Sequence, residues 1–392
     1  MSGAKVLVAG GGIGGLTAAL SFARFGFSVQ VFEQAPVFPD AGAGIQLSPN
    51  CTRVLHDLGL EQEVSATGFL PRGVEVRHWK SGAVIASSDF ENHRGKYGFP
   101  YYHIHRSDLM DVLVRAASAD PNIRLHPGTA IELVEQDSDA VRVVAGAQEY
   151  HGDLLAGADG IRSVVRNALF GPDEPEFTGN IAWRGVVATD QLPKDFIRPV
   201  ATVWWGPRKH FVHYYVRNGT CVNCVCVVEK EGWETESWTE RGSHAELKND
   251  FTGWHDTVTT LIDNINHDAC FKWALFDRPP MPLWGQNRIT LLGDACHPML
   301  PFLAQGAAMA VEDAAVLARC VAAGKDIPSS LIRYQELRRD RTAWVQKSSR
   351  RNKTLFHATG VTAWVRDRFA GQASEKMFDR LFSYDATRIR QT

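Results

Sequence analysis

Residues 5–33 read KVLVAGGGIGGLTAALSFARFGFSVQVFE, and this stretch decides the fold. KVLVA is a short, wholly apolar run of the kind found in a parallel strand buried on both faces. TAALSFARFGF has helical periodicity and should end near Gly26. SVQVFE then reads as a second strand ending in an acid, giving a strand, tight turn, helix and strand in about thirty residues.

The turn supplies Gly10-x-Gly12-x-x-Gly15, with Ile13 and Gly14 between. A dinucleotide pyrophosphate needs a tight turn, a backbone without Cβ at closest approach, and a helix N-terminus whose free amides face the anion. Alone the pattern is weak. Here it follows a strand and opens a helix, and Glu33, followed by Gln34, stands where a carboxylate can accept from ribose hydroxyls. An acid there would repel a 2′-phosphate, so the pattern points to FAD or NAD.

Working outward, residues 70–105 lose the helical period and carry short alternating segments, VEVRHW, AVIASSDF and YYHIHR, read as strands; RSDLMDVLVRAA returns as an amphipathic helix. Residues 177–230 read as strand and turn throughout, with Asn218-Gly219 as a hairpin signal. Period-two alternation puts His210, Val212 and Tyr214 on one face of a strand and Phe211, His213 and Tyr215 on the other. Beyond 285 come a strand, a Pro-punctuated loop and a long helix, and the tail from about 330 reads helical.

Composition excludes more than it proposes. The 392 residues are 44% hydrophobic and 22% charged with net charge −2, so no whole-chain basic field exists to hold nucleic acid or an anionic membrane. The basic run from Arg338 to Lys353 is expected to be the solvated face of a helix. The opening, Met1 to Leu20, superficially resembles a secretory signal, but the glycines at 10, 11, 12, 14 and 15 would break the required apolar helix, and a cytoplasmic location is expected. Seven cysteines fit a reducing compartment; Cys221, Cys224 and Cys226 fall in a strand-like run, and no metal site is read.

Two further turns stand at strand ends feeding helices: Gly157-Ala158-Asp159-Gly160, followed by Ser163 and Arg166, and Gly293-Asp294-Ala295-Cys296-His297-Pro298. Singly each is an Asp-Gly turn or a cap. Together, in this order behind the glycine turn, they make the whole chain resemble the class A, single-component flavoprotein aromatic hydroxylases. The resemblance implies an α/β fold: a Rossmann-like FAD-binding domain with an inserted antiparallel β-sheet substrate domain and a C-terminal helical region. Residues 1–70, 101–175 and 276–330 would form the discontinuous FAD-binding domain, 71–100 and 176–275 the substrate-binding sheet, and 331–392 the helical region.

By that resemblance Gly10, Gly12, Gly15 and Glu33 hold the ADP half of FAD, Arg106 reaches its sugar and phosphate portion, Asp159 and Gly160 serve FAD and nicotinamide, and Asp294 binds the ribityl chain. Pro298 would lie beside the flavin ring, where a C4a-hydroperoxide forms. The helix beginning near Gln305, Gly306 and Ala307 would aim its amides at the flavin edge where negative charge gathers on reduction. NADH, rather than NADPH, is the reductant the resemblance favours, met transiently, since only one dinucleotide fingerprint is present; O2 and a small aromatic substrate complete the partners, and a homodimer is left open.

Within the family the chain is most similar to 3-hydroxybenzoate 6-hydroxylases and 6-hydroxynicotinate 3-monooxygenases, with salicylate hydroxylases further off. Those relatives line the active site with a His and a Tyr four residues later, matched by His210 and Tyr214, and Tyr101 matches another substrate-facing tyrosine. A neutral His near a phenol can remove its proton and make the ring a better nucleophile. Phe302 replaces a His of the pyridine enzymes and makes the pocket less polar, and no arginine for a substrate carboxylate can be picked out. A reductase or dehydrogenase of the same fold, without oxygen insertion, is the competing reading; a halogenase and a non-catalytic flavin-binding protein rank below it.

Overall fold

The computed structural model describes residues 3–38, 43–230, 232, 240–369 and 374–388, so the last four residues of the expected helical tail and residues 370–373 lie outside the description. Its first layer is a six-stranded sheet in the order Gly285–Gln286, Ile289–Leu291, Leu154–Gly157, Lys5–Ala9, Ser28–Glu33, Ile123–Pro127. All neighbours are parallel except the first two. Lys5–Ala9 is central, and Val6 through Ala9 are buried, which is why the run carries no polar alternation.

The helix after it, Ile13–Ala23, lies against the helix Gly306–Ala323, and its Leu16, Ala18, Ala19 and Phe22 are buried. Gly15 permits this approach: a Cβ there would stand 1.9 Å from the Gly10 carbonyl oxygen. Gly10 itself takes φ +97°, open only to glycine without strain. A three-stranded antiparallel sheet, Ile131–Gln136, Val141–Ala145 and Gln148–Gly152, flanks this layer.

The second layer is a seven-stranded sheet in the order Phe271–Asp277, Glu176–Ala188, Cys221–Glu229, Lys209–Val216, Ala201–Gly206, Gly73–His78, Val84–Asp89. It is antiparallel apart from one pair: Gly73–His78, entering from the first layer, runs parallel to Ala201–Gly206. The Asn218-Gly219 hairpin is present, with Val216 opposite Cys221, and Arg217, Asn218 and Gly219 all take left-handed backbone.

Alternation gives this sheet two different faces. One packs Trp183, Trp204, Phe211, Cys224 and Cys226 beneath the helices His244–Asp250 and Asp256–Asp263. The other presents Ala182, Val227, Trp273 and Leu275 to Leu300 and Phe302. The three-cysteine run is therefore a sheet strand, as its sequence suggests, with burial raising the Cys224 and Cys226 thiols far above their usual range.

The tail contains a helix of 30 residues, Ile327–Phe356, followed by Gly360–Phe369 and Ser374–Phe382. Its basic run is the expected solvated face only in part: Lys347 and Arg351 are exposed, whereas others turn inward. Arg338 is wholly buried, pairing with Glu312 at 2.6 Å and Asp313 at 2.7 Å; Arg341 pairs with Glu312 at 2.7 Å. Lys353 donates to the Thr178 carbonyl at 2.7 Å. The reason is two adjacent carboxylates buried on Gly306–Ala323, which demand cations from the helix crossing them. Among the described residues no helix is long and apolar enough to cross a membrane.

Candidate active site

The two layers enclose a cavity of about 500 Å³. Its nucleotide-side wall is made by Gly12, Ile13, Gly14, Arg106, Gly160, Asp294, Gly306 and Ala307, which sequence positions scatter over nearly three hundred residues. Apart from Arg106, which opens the helix Arg106–Ala119 after an antiparallel strand, they come from the C-terminal ends of the parallel strands or the helix starts that follow, where open sheets of this kind receive ligands. Gly12 caps Ile13–Ala23, and a Cβ there would meet nothing within 4 Å, unlike those of Gly10 and Gly15. Space is thus kept in front of free helix amides.

Asp159 adds a buried Oδ1 with no hydrogen-bond partner, while its Oδ2 accepts from the Val165 N–H at 3.1 Å. Burial raises the Asp159 pKa, so a donor reaching that oxygen would be stabilising. Arg106, whose charge burial disfavours, faces the carboxylates of Asp294 and Glu33. A dinucleotide with a pyrophosphate, a ribose and a polyol chain suits this set: free amides for the anion, a cation beside them, and carboxylates for hydroxyls.

The opposite wall is the open face of the second sheet. His210, Val212 and Tyr214 line the cavity, with Val225, Val227, Trp273, Leu275 and Arg184 from neighbouring strands. Arg184 went unnoticed in the sequence. It shares a face with Ala182 by alternation, is buried, and lays its guanidinium 4.0 Å from the centroid of Trp273. Burial, with Arg106 acting the same way, lowers its pKa to about 9, so it stays cationic at neutral pH and is stabilised by an anion.

His210 is held from outside the sheet. Its Nδ1 lies 2.8 Å from Nε2 of His357, and Nδ1 of His357 lies 2.9 Å from Oε1 of Glu229. His357 ends the helix Ile327–Phe356 and Glu229 ends the strand next to that of His210. Burial, reinforced by His357, drives His210 well below its usual range, so it is neutral at pH 7. Neither partner was legible: no local motif marks a histidine 147 residues away.

Tyr214 is placed by Gly44: a Cβ there would come within 2.6 Å of its ring, and the Gly44 N–H donates to Asn223 Oδ1 at 2.6 Å. Tyr101 stands one shell back, donating at 2.6 Å to Gln46, which lines the cavity. Phe302 packs 5.0 Å from the His210 ring as an apolar support. Pro298 lines the cavity, and its carbonyl accepts from Gln346 at 2.8 Å, which fixes the Pro-punctuated loop.

Other expected residues sit differently. Glu33 is buried and accepts the N–H groups of Gly11 at 2.8 Å and Ala35 at 2.9 Å, bracing the glycine turn. Gln34 is exposed beyond the strand end. Gln305 turns its side chain away from the cavity, bonded to Asn50 at 3.2 Å and Ser48 at 3.0 Å, so its backbone alone belongs to the helix start. Beneath that helix, Cys296, His297 and Asp313 cluster within 4.8 Å, but Asp313 is already engaged by His297, Arg338 and the Gly293 N–H. Burial would raise Asp313; His297 and Arg338 outweigh it and hold it at about 2.

Known proteins resemble this chain along nearly its whole length. The family model described as FAD binding domain matches residues 3–349, and the chain belongs to that family. It is 39% identical to a 3-amino-4-hydroxybenzoate 2-monooxygenase of Streptomyces platensis over 97% of this chain and 95% of that one. It is 36% identical to a 6-hydroxynicotinate 3-monooxygenase of Pseudomonas fluorescens over 90% and 91% of the two chains. The solved salicylate hydroxylase substrate complex superposes with TM-score 0.82 at 26% identity, covering 98% of this chain and 96% of that one. The protein is a flavoprotein aromatic hydroxylase, an FAD-dependent monooxygenase of the hydroxybenzoate and hydroxynicotinate type.

Proposed function

We propose that the substrate is a small carbocyclic phenol bearing a carboxylate, of the hydroxybenzoate or aminohydroxybenzoate type, with NADH as reductant and O2 as oxygen source. The observation that carries this reading is a buried cation, Arg184, and a buried neutral base, His210, on one cavity wall. Arg184 would pair with the carboxylate and His210 would take the phenolic proton, so that the ring becomes nucleophilic where oxygen is delivered. Tyr214 would meet the ring's substituents, with Tyr101 orienting Gln46 behind it. Trp273, Leu275 and Leu300 would give apolar walls, with Phe302 packed behind His210, which favours a benzene ring over a pyridine.

FAD, when bound, supplies the electrophilic oxygen after reduction by NADH and reaction with O2. Gly10, Gly12, Ile13, Gly14, Gly15, Glu33 and Gln34 would hold its adenosine and pyrophosphate half, and Arg106, Asp159, Gly160 and Asp294 its phosphate and polyol portion. Pro298 and the helix start at Gln305, Gly306 and Ala307 would flank the ring. The test is NADH oxidation in air by the yellow holoprotein with 3-amino-4-hydroxybenzoate, 3-hydroxybenzoate, salicylate and 6-hydroxynicotinate, products read by mass. A hydroxybenzoate gaining one oxygen atom is expected. Flavin reduction with no aromatic compound ever gaining oxygen would instead make the protein a reductase.

A further inference from the structure

The His210–His357–Glu229 chain has a direction. Glu229 is a carboxylate, which can only accept, so His357 carries its proton on Nδ1. Its Nε2 is then a bare acceptor, and His210 must donate to it from Nδ1. That leaves His210 Nε2 unprotonated, on a ring that lines the cavity.

We infer that His357 and Glu229 are a proton outlet for the substrate site, which fixes His210 as an Nε2 base and carries the phenolic proton from the cavity to solvent. The inference rests on the hydroxylase reading for its proton donor, and its geometry on this chain alone. The substrate O–H breaks as His210 Nε2–H forms. The Nδ1 proton of His210 then passes to Nε2 of His357, and the Nδ1 proton of His357 to Glu229 Oε1. Glu229 is partly exposed and releases the proton to water. When the oxygenated ring regains aromaticity, the phenolic oxygen takes a proton back by the same path, resetting both tautomers.

The surroundings suit conduction rather than a static brace. Phe302 lies 5.0 Å from the His210 ring and 5.7 Å from that of His357, and Phe356 lies 5.3 Å from His210, leaving the chain as the polar path between them and the rim. Burial above all disfavours a lasting positive charge on His357, the Glu229 hydrogen bond favours it, and Lys353 and Arg366 on the C-terminal helices add to the effect of burial. Burial pushes the Glu229 pKa up, but His357 and Arg208, the latter 3.1 Å from Oε2, outweigh it, so the acid does not retain a proton at neutral pH. Each member is thus neutralised by transfer to the next.

The test has two readings on FAD-loaded protein. With ¹⁵N-labelled histidine, nitrogen shifts assigned by their loss in H210Q and H357Q should report Nδ1–H tautomers for both residues. With 4-hydroxy-3-nitrobenzoate, whose ionisation is visible, E229Q and H357Q should slow proton release to a pH indicator at least about tenfold and move the pH midpoint of phenolate formation upward, with bound FAD unchanged. An Nε2–H tautomer on His210, or wild-type release in both variants, overturns the outlet. If the nitrophenol fails to bind wild-type protein, the substrate reading fails, and the tautomers still decide the chain.

Discussion

Two histidines three positions apart on the strand Lys209–Val216 make the most instructive comparison in the molecule. Both are buried, and burial lowers both pKa values, His213 to about 3. Alternation sends them to opposite faces. His213 lies between Trp204 and Phe211 in a closed core, and neither ring nitrogen has a hydrogen-bond partner. His210 lines the cavity and is bonded to His357. Burial and a shifted pKa are therefore common to a structural and a reactive histidine, and the hydrogen-bonded partner with cavity access separates them.

The largest expected effect tests that separation directly. His210→Ala should lower the rate of hydroxylation by about 10² to 10⁴, the usual contribution of a positioned general base, while bound FAD and its spectrum stay unchanged. His213→Leu should lose no comparable rate per folded molecule. Product formation and flavin content, measured on both, decide the matter: equal losses would mean that the strand's integrity, and not the cavity face, carries the activity.

The glycine turn repeats the comparison on the other wall. A Cβ at Gly15 collides with the Gly10 carbonyl, whereas one at Gly12 meets no protein atom within 4 Å. Gly12→Ala should therefore fold, with the same thermal transition as the wild-type apoprotein, and purify with its FAD affinity lowered at least about tenfold, or 1.4 kcal/mol. Gly15→Ala should fail at folding. A fully yellow Gly12→Ala protein would show that the open space is not where the cofactor's pyrophosphate passes.

Arg184 sharpens the comparison between what a sequence shows and what a sheet assembles. Arg184→Gln should raise KM for a carboxylate-bearing phenol by about 10- to 100-fold, the range for removing a charge-assisted hydrogen bond, and change KM much less for the same phenol lacking the carboxylate. Parallel losses on both compounds would reassign Arg184 to packing on Trp273.

The nucleotide layer was legible because its demands are local. A turn that must bring a helix start to a phosphate needs glycines at fixed spacing, and KVLVA cannot be anything but a buried strand once that turn is recognised. The face of His210 and Tyr214 was legible for the same reason, since alternation is a property of the strand itself. Arg184, Glu229 and His357 were not, because their roles arise from the pairings Arg184–Trp273, Glu229–His357 and His210–His357, across 89, 128 and 147 residues, in registers that no single segment encodes. The inward half of the basic run, Arg338 and Arg341, was misread on the same ground. Charge on a helix means solvent unless a partner helix buries carboxylates, and Glu312 and Asp313 sit in a segment, VEDAA, that looks like an ordinary helix.

Acid stability is the smallest of the expected effects and the one that measures both faces together. His103, His210 and His213 are buried with pKa values lowered first by desolvation, His103 and His213 to about 3. Below about pH 6.5 the unfolded chain takes up these protons and the folded one does not, so folding stability is whole above that pH and is lost as pH falls. Each such histidine should cost about 1.4 kcal/mol per pH unit below 6.5, until its folded pKa is reached. Urea midpoints of the holoprotein at pH 7.5, 6.5 and 5.5 should fall accordingly, and His213→Leu should flatten the slope by one histidine's share whatever it does to the midpoint at pH 7.5. A slope unchanged in His213→Leu would mean that His213 is hydrated or charged in the folded protein, and the contrast drawn between the two faces of its strand would then be lost.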